Sequence, residues 1–179
     1  MLLKQQDSCV VLIDVQDKLT PSVQNAPETI RRCAWVLELA KALDIPRLVC
    51  EQYPQGLGAT VKALQGFGST FSKVHFSCWK DVSFQKQIQS LQKKQCVLIG
   101  IETHVCVLQT ALDLCEAGFA VYVVVDAVSS RSSIDHRYGL KRMKQAGVQL
   151  VTAEMLFFEW LQQAGTDNFK ILSKQFFSG

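Results

Sequence analysis

Cys106 stands where a thiol is readily turned into a nucleophile. It closes the segment Ile101-Glu102-Thr103-His104-Val105-Cys106, which follows the apolar run QCVLIG (95–100) and opens a stretch of helical period. Unpaired N–H groups and the helix dipole at such a start favour an anion and lower a thiol's pKa. A thiolate attacks a carbonyl carbon when a base or a cation stands beside it. Two readings fit the position: a nucleophile, or a small buried residue of the kind expected for Cys9 and Cys96 inside strands. His104 is the nearest imidazole in sequence, but positions i and i+2 on a helix do not face each other. His75, in the third apolar run, and His136, in a later helix, are weaker partners. There remains a carboxylate base with a lysine, taken from the ends of the first and third apolar runs.

The elements that would position these groups alternate. CVVLID (9–14), RLVCE (47–51), TFSKVHF (70–76), QCVLIG (95–100), FAVYVVVD (119–126) and VQLVT (148–152) read as strands. Helical period marks 27–43, a short piece over 59–65, then 82–92 with Asp81 as its cap. It returns over 103–117 up to Gly118, 134–146 up to Gly147, 153–164 and about 167–177. Within 103–117, Val105, Leu108 and Leu112 form the apolar stripe, with Cys106, Gln109, Thr110 and Asp113 off it. Strands apolar throughout suit a sheet covered on both faces. The alternation predicts a single doubly wound α/β domain over residues 1–179, its sheet six-stranded and mostly parallel with helices on both faces. Ligands of such sheets bind beyond the carboxyl ends of the strands. Those ends carry Asp14 and Gln16, Glu51-Gln52-Tyr53, Glu102 to Cys106, and Asp126 to Arg131.

Composition removes other classes. The chain has 179 residues, 48% hydrophobic and 20% charged, which is ordinary for a globular domain and excludes a disordered or fibrous one. Seven cysteines are an odd number and are scattered without C-x-x-C spacing, which argues against a disulfide framework or a structural zinc site. A net charge of +3 without a dense basic stripe predicts no nucleic-acid partner. No apolar run nears the roughly 20 residues of a membrane span. The N-terminus MLLKQQDSC lacks a secretory apolar region, so a cytoplasmic location is expected, with a mitochondrial one left open. Neither G-x-G-x-x-G, a P-loop nor G-x-S-x-G occurs, which sets aside the common nucleotide sites and the serine hydrolase elbow.

Five segments in order resemble the isochorismatase-like cysteine hydrolases, closest to the isochorismatase domain-containing proteins. They are VVLIDVQDKLTP (10–21), EQYPQGLGATV (51–61), FSKVHFS (71–77), LIGIETHVCVLQTALDL (98–114) and VVVDAVSSR (123–131). The resemblance implies an Asp14–Lys73–Cys106 triad, with Asp14 as base, Lys73 stabilising the thiolate and Cys106 attacking a carbonyl carbon to give a thioester. It implies an oxyanion hole of the Glu102 and Cys106 N–H groups, dependent on a cis peptide between Ile101 and Glu102. It also implies a homo-oligomer, for which the helix at 167–177 offers Phe169, Ile171, Leu172, Phe176 and Phe177; the alternative is that this helix covers its own sheet. Lys80 competes with Lys73, but the spacing Lys73-x-x-Phe76-Ser77 favours Lys73.

Departures from the family narrow the substrate. Nicotinamidases of the family carry an Asp-x-His metal-binding segment where this chain has Glu51-Gln52-Tyr53, so no metal or other cofactor is expected. Isochorismatases proper lack the cysteine. Cys106 therefore points to a small-molecule substrate with an amide, ureide or carbamoyl C–N bond. Gln16, Tyr53, Trp79 and His104 are candidates for the pocket wall, with packing as the competing role. Asp126 and Arg131 are expected to form a structural ion pair. A scaffold protein on the same fold is the alternative function. A redox thiol is the third; Cys115, about 13 Å along the same helix, is out of disulfide reach of Cys106.

Overall fold

The structure, a computed structural model, describes residues 1–177. Six strands form one sheet: β1 (Ser8–Ile13), β2 (Arg47–Gln52), β3 (Ser69–Lys73), β4 (Gln95–Ile101), β5 (Ala120–Ser129) and β6 (Gln149–Val151). Their order is β3-β2-β1-β4-β5-β6, and all five pairings are parallel. The chain builds outward from β1 to β3, then returns to the other side of β1 with β4. The reversal opens a crevice at the carboxyl ends of β1 and β4, the place such sheets use for ligands.

The helices are α1 (Ala26–Ala42), α2 (Pro54–Leu57), α3 (Val82–Ser90), α4 (Leu108–Glu116), α5 (Ser133–Gln145), α6 (Ala153–Leu161) and α7 (Asp167–Phe177). The period of two along each strand sends alternate residues to opposite layers. Val10 and Leu12 of β1 pack with Val36 and Leu37 of α1 and Trp160 of α6. Val11 and Ile13 pack with Phe84 of α3, Ala111 of α4 and Met143 of α5. Both faces are thus apolar and covered, which is why the strands read as unbroken hydrophobic runs. Asp81 caps α3 as its sequence suggests, its Oδ1 accepting from the Phe84 N–H at 2.9 Å.

Several boundaries differ from the sequence expectation, each for a local reason. β3 stops at Lys73, because beyond it the chain turns outward and Val74, His75 and Phe76 are exposed. Residues 59–65 hold only one 3₁₀ turn, Lys62–Leu64. β5 runs on to Ser129 through a register shift against Leu98 and Gly100 of β4. The last helix covers its own core. Leu172 is buried and Phe176 meets Trp35 edge-on at 5.1 Å, leaving Ile171 facing outward.

Candidate active site

Asp14 follows β1 directly and takes the left-handed conformation, φ +58°, which costs a residue with a side chain about 1–2 kcal/mol. Its N–H donates to the Cys50 carbonyl at 2.9 Å, fixing the turn at the crevice. The carboxylate is fully buried. Lys73 is the last residue of β3 and lies on the same side of the sheet as Phe71, by the alternation of a strand. Its Nζ reaches past β2 to donate to Asp14 Oδ2 at 2.8 Å and to Gln52 Oε1 at 2.7 Å. Gln52 ends β2, between the two. A buried lysine survives here because it is paired and hydrogen-bonded.

Cys106 lies on the opposite bank, and the turn that carries it is unlike the start of a regular helix. Gly100 has φ +135° and Glu102 φ +58°, and residues Thr103–Val107 form a π-helical turn before α4 begins. The N–H groups of Val105 and Val107 both donate to the Glu102 carbonyl, at 2.9 and 3.3 Å. The peptide between Ile101 and Glu102 is trans, as are all the described peptides, so the expected cis bond is replaced by the left-handed Glu102. The apolar stripe of this segment is also rotated from the one read in the sequence. Val107, Leu108, Ala111 and Leu114 face the core together with Cys106 and Thr110, because the wide π turn shifts the register of α4 behind it.

Asp14, Lys73 and Cys106, the residues expected to act together, lie at the same end of the sheet. Cys106 stands near enough to Asp14 for each to shift the other's titration, and the buried Asp14 Oδ1 has no hydrogen-bond partner among the described residues. Electrostatics reverse the expectation for the thiol. Burial pushes its pKa well up, the Asp14 charge adds to this, and Lys73 only partly opposes them. The helix-start effect is outweighed because it fades within a turn, whereas desolvation acts on the whole buried group. Burial also raises the Asp14 carboxyl, against the pull of Lys73. For Lys73, burial favours the neutral amine, but Asp14 and the nearby thiols prevail and the ammonium is held above its ordinary range. The site therefore sets a buried Asp14 carboxyl and the Lys73 ammonium beside a thiol held in its neutral form.

The remaining candidates scatter. Gln16 is buried and its amide is committed to backbone, Nε2 donating to the Gln52 and Gly58 carbonyls and Oε1 accepting from the Gln52 N–H. It holds two loops together. Tyr53 is half exposed with its ring against Gly56. Trp79 packs edge-on against Phe119 at 5.8 Å, away from the crevice. His104 Nδ1 pairs with Ser130 Oγ at 3.1 Å, not with Cys106. His136 Nδ1 meets Thr103 Oγ1 at 3.0 Å. Lys80 faces Asp113 at 3.5 Å, which removes it as a rival to Lys73. Asp126 and Arg131 do not pair: Asp126 meets Arg32 at 3.3 Å, and Arg131 Nε donates to Glu102 Oε1 at 2.7 Å. Gln52 is the site residue that sequence reasoning missed. Its signal was its place two residues past Cys50, on the inward side of β2.

All seven cysteines are free thiols. Among the described residues no three His, Cys, Asp or Glu side chains are grouped to hold a metal, and no helix is long and apolar enough to cross a membrane.

Known proteins share this fold. A mouse protein, isochorismatase domain-containing protein 2A, is 41% identical over 171 residues, covering 94% of this chain and 82% of its own. A zebrafish isochorismatase domain-containing protein 2 is 37% identical over 174 residues, covering 96% of this chain and 88% of its own. A Caenorhabditis elegans structure described as MAR1 ribonuclease superposes with a TM-score of 0.91 at 36% identity, covering 97% of this chain and 91% of that one. The Escherichia coli YcaC product, described as an octameric hydrolase of unknown specificity, superposes at 0.92 with 26% identity, covering 99% of this chain and 92% of that one. With the isochorismatase domain model matching residues 8–155, the chain belongs to the isochorismatase family.

Proposed function

We propose that this chain is a cysteine hydrolase that cleaves a C–N bond of a small amide, ureide or carbamoyl compound. The observation that carries the reading is the buried Asp14–Lys73 pair at 2.8 Å, with one Asp14 oxygen left without a hydrogen-bond partner and the Cys106 thiol close by. A thiolate next to an ionised carboxylate is costly, so ionising Cys106 to solvent is disfavoured. Passing its proton to Asp14 leaves the net charge of the group unchanged, and Lys73 is then the cation beside the new thiolate. Cys106 Sγ attacks the carbonyl carbon to give a tetrahedral intermediate whose oxygen takes the negative charge. Collapse breaks the C–N bond, and the leaving nitrogen takes the proton from Asp14. Asp14 then draws a proton from water, whose oxygen attacks the thioester and frees Cys106.

The test is intact-mass spectrometry of the protein incubated with a panel of small amides, ureides and carbamoyl compounds. An acyl adduct that is absent in Cys106→Ala identifies the nucleophile and sizes the acyl group. Hydrolysis undiminished in Cys106→Ala would overturn the reading. A homo-oligomer is part of the proposal, supported by the octameric assembly described for the E. coli neighbour. Light scattering coupled to gel filtration tests it, and a monomer at micromolar concentration would rule it out.

A further inference from the structure

Gln52 takes no part in the proposed reaction, yet it holds one of the reacting groups. Its Oε1 accepts from Lys73 Nζ at 2.7 Å and its Nε2 donates to the Val74 carbonyl at 2.8 Å. The second bond fixes which end of the amide faces the ammonium. Its main chain is pinned on both sides by the Gln16 amide, at 2.7 and 3.0 Å. Gln52 is buried, so this arrangement is not exchanged with water. The amide oxygen satisfies Lys73 as a carboxylate would, but adds no charge. With Gln52 neutral, one carboxylate and one ammonium face the thiol. A second carboxylate at this place would leave the group net negative and oppose the thiolate.

We propose that Gln52 is a positioning residue that holds Lys73 without charge, keeping the Asp14–Lys73 pair neutral so that the Cys106 proton can pass to Asp14. The proposal rests on the cysteine hydrolase reading and adds a requirement to it: the residue beside the lysine must accept a hydrogen bond and must be uncharged.

The test is the pH profile of Cys106 alkylation by iodoacetamide, read by peptide mass mapping in wild type and Gln52→Glu. The variant is nearly isosteric and keeps an acceptor for Lys73. Its profile is expected to move to higher pH by about one unit, which is about tenfold slower labelling at a given pH below the midpoint. A purely structural role would lower thermal stability and leave the profile in place, and a variant profile overlaying wild type overturns the proposal. If Gln52→Glu does not fold, Gln52→Met serves: it removes the acceptor without adding charge. Labelling is then expected to fall at least about fivefold with an unchanged circular dichroism spectrum, on the geometric sensitivity of positioned groups; equal labelling overturns the proposal. The two readings fail separately. If Cys106 is not the nucleophile, Cys106→Ala retains hydrolysis while the Gln52→Glu profile still shifts. If Gln52 is only structural, the profile stays put while Cys106→Ala is inactive.

Discussion

Lys73 Nζ lies 2.8 Å from Asp14 Oδ2 with both side chains out of solvent, although the two residues are 59 apart in sequence and end strands separated by β2. Together with Gln52 at the end of β2, the pair joins three strand ends into one site. Breaking it by removing one partner leaves a buried charge uncompensated, at about 3–5 kcal/mol. Asp14→Asn and Lys73→Met are each expected to lose stability on that scale in urea titrations. The double variant is expected to lose clearly less than the sum, because it leaves neither charge behind. Additive losses would show that the two groups are not coupled.

The buried thiols set a pH dependence. Burial pushes Cys33 and Cys50 well up, the bond with Cys9 followed by burial does the same for Cys96, and burial with the Asp14 charge raises Cys106. A raised folded pKa favours the folded state below the unfolded value and loses that advantage as pH rises. Between about pH 8 and 10.5 the unfolded chain releases thiol protons that the folded chain keeps, so stability falls by up to about 1.4 kcal/mol per pH unit for each such thiol. Urea midpoints measured across that range are expected to drop steeply, and Cys33→Ala to show a shallower slope by about one proton. A flat wild-type curve would contradict the burial of these thiols.

Arg131 holds the turn that carries Cys106 through its bond to Glu102 Oε1, while Glu102 Oε2 is buried without a hydrogen-bond partner. Arg131→Met is expected to cost stability near the lower end of about 1–3 kcal/mol, since the guanidinium itself is largely exposed. Glu102→Gln in the same background is expected to restore part of the loss, because an amide is less costly to leave unpaired than a carboxylate. Equal stability of Arg131→Met and wild type in denaturant would show the pair to be idle.

Features set by local forces are legible in the sequence, and those set by distant contacts are not. The two-faced burial of β1 and β4 appears as unbroken apolar runs. Lys73 is marked by the spacing Lys73-x-x-Phe76-Ser77 of the family resemblance, and Asp14 because it closes the first strand. Ion-pair partners were not legible: Arg131 lies near Asp126 in sequence, but the β4–β5 register and the long β5 carry it to Glu102, while α1 brings Arg32 to Asp126. The direction of the Cys106 shift was hidden too, since a helix start is visible in a sequence but the burial of its thiol is not. Gln52 carries no charge, and its inward place two residues past Cys50 does not name a partner; the 2.7 Å bond to Lys73 does.

Gly100 couples the Cys106 turn to the sheet. Its φ is +135°, and a Cβ there would collide with the Ile13 carbonyl oxygen and stand 2.8 Å from the Ile13 nitrogen, both backbone atoms of β1 that cannot swing aside. Gly118 also has a positive φ, +90°, but nothing lies within 4 Å of its would-be Cβ. Gly118→Ala therefore carries only the backbone penalty, about 1–2 kcal/mol. Gly100→Ala adds a forced separation of β1 from β4, and is expected to lose about 4 kcal/mol or more. The same separation would move Asp14, the next residue after Ile13, relative to Cys106. Urea titration of the two variants side by side, with Cys106 alkylation as a second readout, checks this; equal losses for both glycines would mean that the close approach at Gly100 is not what fixes the site.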